Sequence, residues 1–343
     1  MGVLASLLAS VLALQPSPVA RQERAFALLA DNRVAQITLP GGKVVARRRV
    51  GPRPRGRLES GRMLAASDTR IFVLVSSGDG SDSVAVLDRR TASFLARWPL
   101  EAGIRYRGIV FTADVLYAYG GRWGREVDAA HHLHEQSAVV TVLDAANGVK
   151  IRTSELRPAD GRMWWIYWGS ADTTGVALGY HGGCYPDATQ LCTSGADVFD
   201  LAGHTQNRLD EAHGMIEPYG VGWIATTGGE SLVQYGRNGN VLRRLHSGIE
   251  HDHVMSFRFT RDRSGLVVIS SCFYSHEGLR RVSLQTGTSR LVRGRICGEA
   301  ALTARTALLI RQTAALEIRS SRTARLRHRV LFKANVLDVI VSG

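Results

Sequence analysis

The chain has 343 residues, 45% of them apolar, with 36 glycines and a formal net charge of +13. This balance excludes a disordered chain, allows a large buried core, and with short β-branched runs punctuated by Gly, Asp and Asn it favours an all-β protein. The charge alone would suggest nucleic acid, but lysine occurs only at Lys43, Lys150 and Lys333, and the arginines are scattered through turns and strand edges. No aromatic-studded basic motif accompanies them, so no nucleic-acid partner is expected.

Residues 1–20, MGVLASLLASVLALQPSPVA, are apolar from Val3 to Leu14. That length suits the hydrophobic region of a signal peptide and is too short to cross a bilayer. The segment reads as a signal peptide or apolar N-terminal segment, residues 21–343 as one domain, and no membrane span is expected after residue 20. The next dense feature, Arg47 to Arg57, is broken by Pro52 and Pro54 and reads as a solvated connection.

From Val34 onward one phrase recurs: a β-branched run, a turn, and a second strand. It appears as VAQITLPGGKVVA, SVAVLDRRTASFLARW, AVVTVLDAANGVKIRT, ADVFDLAGHTQNR, SLVQYGRNGNVLRRL, LRRVSLQTGTSRLV and ALEIRSSRTARLRHRV. The turns begin at Leu39, Asp88, Asp144, Asp200, Gly236, Leu284 and Arg319. Their spacing is irregular but centred where propeller blades lie. Two further strand-like runs precede most phrases, as in 109–112 with 115–120, 163–169 with 175–180, and 254–260 with 265–270. Four antiparallel strands repeated seven times make a seven-bladed β-propeller, an architecture that leaves few exposed sheet edges. The first phrase has only one run ahead of it, AFALLA, and the last run, VLDVIVSG, has no partner after it. The C-terminal strand is therefore expected to pair with the N-terminal strands and close the ring.

The phrases SVAVLDRRTASFL and AVVTVLDAANGVKI resemble the repeats of YVTN-type seven-bladed propellers, of the kind also seen in quinoprotein amine dehydrogenase heavy chains. The resemblance spans most of residues 25–343 and concerns the repeat rather than functional residues. It implies a fold, with a redox accessory role as its weakest functional implication.

With strands named A to D from the channel outward, the tight turns are C–D turns, and the insertions lie on the opposite face. GRWGREVDAAHHLHEQS (121–137), HGGCYPDATQLCTSG (181–195) and CFYSHEG (272–278) read as long B–C loops of the third, fourth and sixth blades. Four cysteines without CxxC spacing suggest the disulfides Cys184–Cys192 and Cys272–Cys297 in an exported protein, secreted or held at the cell envelope. The second pair joins a B–C loop to the D-to-A connection of one blade, which places both ends on one face.

His251 and His253 flank Asp252 near the head of an A strand, where a spacing of two puts both imidazoles on one face. His213 and Glu299 hold corresponding positions in neighbouring blades. A cluster of His213, His253 and Glu299 at the channel mouth would suit a divalent metal, or a general base with its orienting acid. His251, Asp252, His181, Trp123 and His276 are candidate ligand contacts on the same rim, and structural roles for all of them stand as the alternative. In MWWIYWG, strand alternation would put Trp164, Ile166 and Trp168 on one face and Trp165 and Tyr167 on the other. No GxSxG, P-loop or HExxH motif occurs.

The leading expectation is an exported, monomeric binding or scaffold protein whose long-loop face takes a small molecule, a glycan or a protein. The alternative is a lyase or hydrolase working through the His/Glu site, with or without a metal.

Overall fold

A computed structural model describes residues 23–52, 62–77, 81–127, 133–156, 164–182, 194–201, 204–212, 215–227, 231–249, 256–260, 262–270, 278–303 and 307–342. Blade 1 holds β1 (Arg24–Leu29), β2 (Arg33–Thr38) and β3 (Val44–Arg49), and blade 2 holds β4 (Leu64–Ala66), β5 (Arg70–Val75), β6 (Ser83–Asp88) and β7 (Phe94–Pro99). Blade 3 is β8 (Ile104–Thr112), β9 (Val115–Val127), β10 (Leu133–Asp144) and β11 (Lys150–Leu156). Blade 4 is β12 (Trp164–Ala171), β13 (Gly175–Gly182), β14 (Ser194–Asp200) and β15 (Thr205–Asp210). Blade 5 is β16 (Ile216–Tyr219), β17 (Gly222–Thr226), β18 (Ser231–Tyr235) and β19 (Val241–His246). Blade 6 is β20 (Ser256–Phe259), β21 (Gly265–Ile269), β22 (Leu279–Ser283) and β23 (Ser289–Arg293). Blade 7 is β24 (Glu299–Thr303), β25 (Ala307–Arg311), β26 (Ala315–Ser320) and β27 (Leu326–Leu331). The last strand, β28 (Val336–Ser342), is the inner neighbour of β1, so the seven four-stranded sheets form the closed seven-bladed β-propeller that the repeat predicts.

Burial explains why the sequence reads this way. Middle strands are covered by blades on both sides and are buried without a break and largely apolar, as in Ile71–Val75, Gly222–Thr226 and Gly265–Ile269. Outer strands face solvent except at one recurring position, filled by Trp98, Leu209, Leu245 and Val330. The C–D turns also share a geometry. The nitrogens of Gly42, Ala92, Gly148, Gly287 and Ala324 donate to the carbonyls of Thr38, Asp88, Asp144, Ser283 and Ser320, four residues earlier. The donor residue is left-handed each time, which explains the glycine in most copies. In the first, sixth and seventh copies the turn starts one residue from the position read in the sequence.

Two details depart from the sequence reading. Residues 121–127 and 133–137 are not loop but continue β9 and β10, paired from Gly121 with Ala138 outward to Val127 with Leu133. The strand alternation in MWWIYWG also fails. A bulge between Ile166 and Trp168 leaves Tyr167 out of register, so Trp168 does not follow from Ile166 by a period of two.

Arginine fastens blade to blade. Arg24 donates to the Arg90 carbonyl (2.5 Å), Arg70 to Ala145 (2.9 Å) and Ala146 (2.7 Å), and Arg243 to Leu284 (2.9 Å) and Gln285 (3.1 Å). Arg281 donates to the carbonyl of Ser321. Each acceptor lies in the C–D turn of the following blade. In Arg70 and Arg243 a single terminal nitrogen, Nη1, donates to both carbonyls.

Candidate functional site in the channel

The described end of the channel is lined by charged groups from separate blades. Arg62, just before β4, reaches across blades to the Gly169 carbonyl (3.2 Å), Ser170 Oγ (3.2 Å) and Glu217 Oε1 (2.9 Å). Ser170 Oγ also donates to Glu217 Oε2 (3.0 Å), and Arg258 Nη1 lies 3.3 Å from Glu217 Oε1. One carboxylate thus serves two guanidiniums. Between them lies the indole of Trp168, with Arg62 5.3 Å and Arg258 5.0 Å from its ring centre, and its Nε1 donates to the Ile216 carbonyl (3.1 Å). Stacked cations of this kind add to the ion pairs.

The closing strand joins the same group. Asp338 Oδ2 accepts from the Leu64 nitrogen (2.7 Å) and its Oδ1 from Val339 (2.7 Å). Arg311 of β25 donates to the Val336 carbonyl (3.1 Å) and to that of Leu337. Blades 7, 1 and 2 are linked through these bonds.

Burial pulls the Arg258 guanidinium down to about 10, with Glu217 opposing the shift. Burial also lowers Arg311 and raises the Asp338 carboxyl, against the pull of the Leu64 amide and Arg311. Arg62 moves the other way: burial works against its charge, but Glu217, Tyr119 and Asp338 outweigh it. The Tyr119 hydroxyl is pushed up by burial.

Of the residues the sequence nominated, Glu299 is described in full. It begins β24 opposite Arg311, and its carboxylate forms an ion pair with that guanidinium. His181 is in β13, in register with Trp165 and Ser194, and Trp123 is in β9 opposite Glu135. His213, His251, Asp252, His253, His276, Cys184, Cys192 and Cys272 lie outside the described residues. Among the described residues, no group of three or more His, Cys, Asp or Glu is placed to hold a metal ion. Cys297 is joined by an isolated parallel bridge to Ser270, two residues before Cys272.

The sequence reading missed Arg62, Glu217, Arg258, Arg311 and Asp338. A usable signal existed: Glu217, Arg258 and Asp338 are single charges within short inner strands (IEPY, SFRF and VLDVIVS). A charge buried in a strand needs a partner.

No family model matches the chain, and no curated protein matches it by sequence. Solved structures do match in fold. A chain of a mitotic checkpoint complex aligns with a TM-score of 0.59 at 12% identity, covering 98% of this chain and 92% of its own. Apo AztD from Citrobacter koseri gives 0.54 at 12% identity, covering 94% and 98%. The dihydro-heme d1 dehydrogenase NirN in complex with DHE gives 0.54 at 12% identity, covering 92% and 74%. At this identity the likeness shows the propeller and nothing of its chemistry.

Proposed function

We propose that the protein is an exported, monomeric binding propeller that holds a small molecule, glycan or protein on the face bearing the B–C connections. One observation carries the reading: length is added between the B and C strands of a ring whose charged channel residues, among those described, meet one another. The β9–β10 pairing runs out to Val127 and Leu133, and the chain also adds length between the second and third strands of blades 4 and 6, where residues 183–193 join β13 to β14 and residues 270–278 join β21 to β22. Rigid rims carrying such additions are where propellers and barrels place recognition. Export rests on the apolar stretch Val3–Leu14 and on a Cys272–Cys297 bridge, supported by the pairing of Ser270 with Cys297. The turn-centred repeat supports a place among YVTN-type propellers.

The test replaces residues 123–135 with Asn-Gly, a two-residue hairpin turn. Wild type and variant are compared in thermal-shift screens against small-molecule and oligosaccharide panels, with metal content measured on both. A ligand that stabilises wild type and not the variant is expected. Equal responses would remove the hairpin from the site, and a stoichiometric metal lost in His213→Ala and His253→Ala would favour the lyase or hydrolase reading instead.

A further inference from the structure

The opposite face carries a cleft of about 1200 Å³ beneath blade 6, running from Tyr219 at the A–B turn of blade 5 to Ser321 and Arg322 at the C–D turn of blade 7. Its charged lining is Arg281, Arg290, Arg322 and Asp262. Arg281 and Arg290 are register partners on β22 and β23, so two positive side chains stand directly opposite on one face of the sheet. Like charges in that arrangement repel and weaken a strand pair.

No carboxylate among the described residues forms an ion pair with Arg281, Arg290 or Arg322. Arg281 gives one donor to the Ser321 carbonyl while its Nε is buried without a partner. Asp262, whose Oδ1 accepts from Thr260 Oγ1 (2.6 Å) and the Ser264 nitrogen (3.2 Å), is ionised and offsets one of the three arginines, so the charged lining keeps a positive balance. The cleft is a cationic groove with spare guanidinium donors, and such forks match carboxylate, sulfate and phosphate oxygens.

The neutral lining narrows the ligand class. It is rich in hydroxyl and amide groups, including Ser283, Gln285 and Thr288, which suit a polyhydroxylated ligand. One aromatic, Tyr219, borders the cleft, and its ring is fixed by stacking on Phe259 (5.6 Å, 17°). Single-stranded nucleic acid uses a series of such rings for successive bases. We propose that this cleft binds an acidic glycan, an oligosaccharide bearing sulfate or carboxylate groups, with one anionic group shared by Arg281 and Arg290. The site is independent of the B–C face and stands or falls apart from it.

The test is fluorescence anisotropy with a labelled sulfated hexasaccharide, its unsulfated counterpart, and a single-stranded oligonucleotide of equal charge. Arg290→Gln/Arg322→Gln removes two exposed cations from the cleft, and Arg48→Gln/Arg49→Gln removes two exposed cations from β3. The first double variant should bind the sulfated sugar about tenfold or more weakly, the control should stay within about twofold, and the unsulfated sugar should bind about tenfold or more weakly. Arg290→Gln alone should raise the melting temperature of the unliganded protein, because it removes the like-charge pair. Absence of hexasaccharide binding, equal losses in both double variants, or an unchanged or lower melting temperature for Arg290→Gln would overturn the proposal. Tighter oligonucleotide binding through the same arginines would replace the glycan with nucleic acid.

Discussion

Replacing Glu217 with alanine tests whether the channel cluster fastens the ring. The residue is 8% exposed, and its carboxylate accepts from Arg62 (2.9 Å) and Ser170 (3.0 Å) with Arg258 3.3 Å away. Its removal leaves two guanidiniums, with side chains 23% and 10% exposed, facing each other across Trp168. Breaking a buried pair by deleting one partner costs about 3–5 kcal/mol. Two stranded cations push toward the top of that range, and the contacts Arg62 keeps with Gly169 and Trp168 push back. For a chain of 343 residues, an unfolding entropy of roughly 2.1 cal/mol/K per residue gives about 0.7 kcal/mol/K, so the melting temperature should fall by about 4–7 °C. Calorimetry reads the loss, and indole fluorescence adds a reporter within the cluster at Trp168. Glu217→Gln combined with Arg258→Met removes one charge of each sign and should recover at least about half of it, by the non-additivity expected of coupled partners. A change under about 1 °C for the alanine variant, or simple additivity in the double, would refute a desolvated, coupled cluster.

Two further perturbations bear on the sheets. Burial pushes the Asp197 carboxyl on β14 up to about 6, only partly opposed by Arg208, its partner in register on β15, and reinforced by Asp210. The unfolded chain loses this proton near 3.8 and the folded chain near 6, so the group's contribution is full below pH 3.8 and lost as pH rises through 6. Asp197→Asn should therefore raise stability by up to about 3 kcal/mol at pH 7.5 and leave it unchanged at about pH 3.5. Urea midpoints at the two pH values decide, and an equal gain at both would refute the linkage. At the ring closure, deleting residues 336–343 removes the inner partner of β1 and should abolish the soluble monomer seen by gel filtration. Asp338→Asn keeps an acceptor for the Leu64 nitrogen and should cost less than about 1 kcal/mol, whereas Asp338→Ala should cost about 1–3 kcal/mol. Equal melting curves for the two would mean that this bond contributes nothing.

The propeller was legible because its outer half repeats locally. An Asp, Ser or Thr opening the turn, a left-handed residue four positions on, and one buried apolar residue in the outer strand recur within about 15 residues, the scale on which sequence patterns are visible. Ring closure was legible for the same reason, as a strand short at one end and spare at the other. The channel cluster was not, since each blade contributes one or two residues and the partners are far apart: Arg62 and Glu217 are separated by 155 positions. Trp168 escaped for a different reason. A bulge is a change of register, and nothing in the run WWIYWG marks where the alternation slips.

The same distinction gives the net charge of +13 a physical meaning. The C–D turn carbonyls of one blade lie within reach of long side chains on the previous one, from the second strand (Arg24, Arg70), the third (Arg281) or the outer strand (Arg243). A long side chain that reaches two such carbonyls at once joins the blades without a complementary acid. Arg70 and Arg243 do this, and Arg24 and Arg281 do it with one carbonyl each. Arginines used in this way add positive charge without implying a polyanionic partner, so total charge is a poor guide to ligand. The informative arginines are those without a carbonyl, carboxylate or ring to meet. Among the described residues Arg290 and Arg322 are of that kind, and both border the same cleft, where Arg290 also faces a like charge that a folded protein would otherwise avoid.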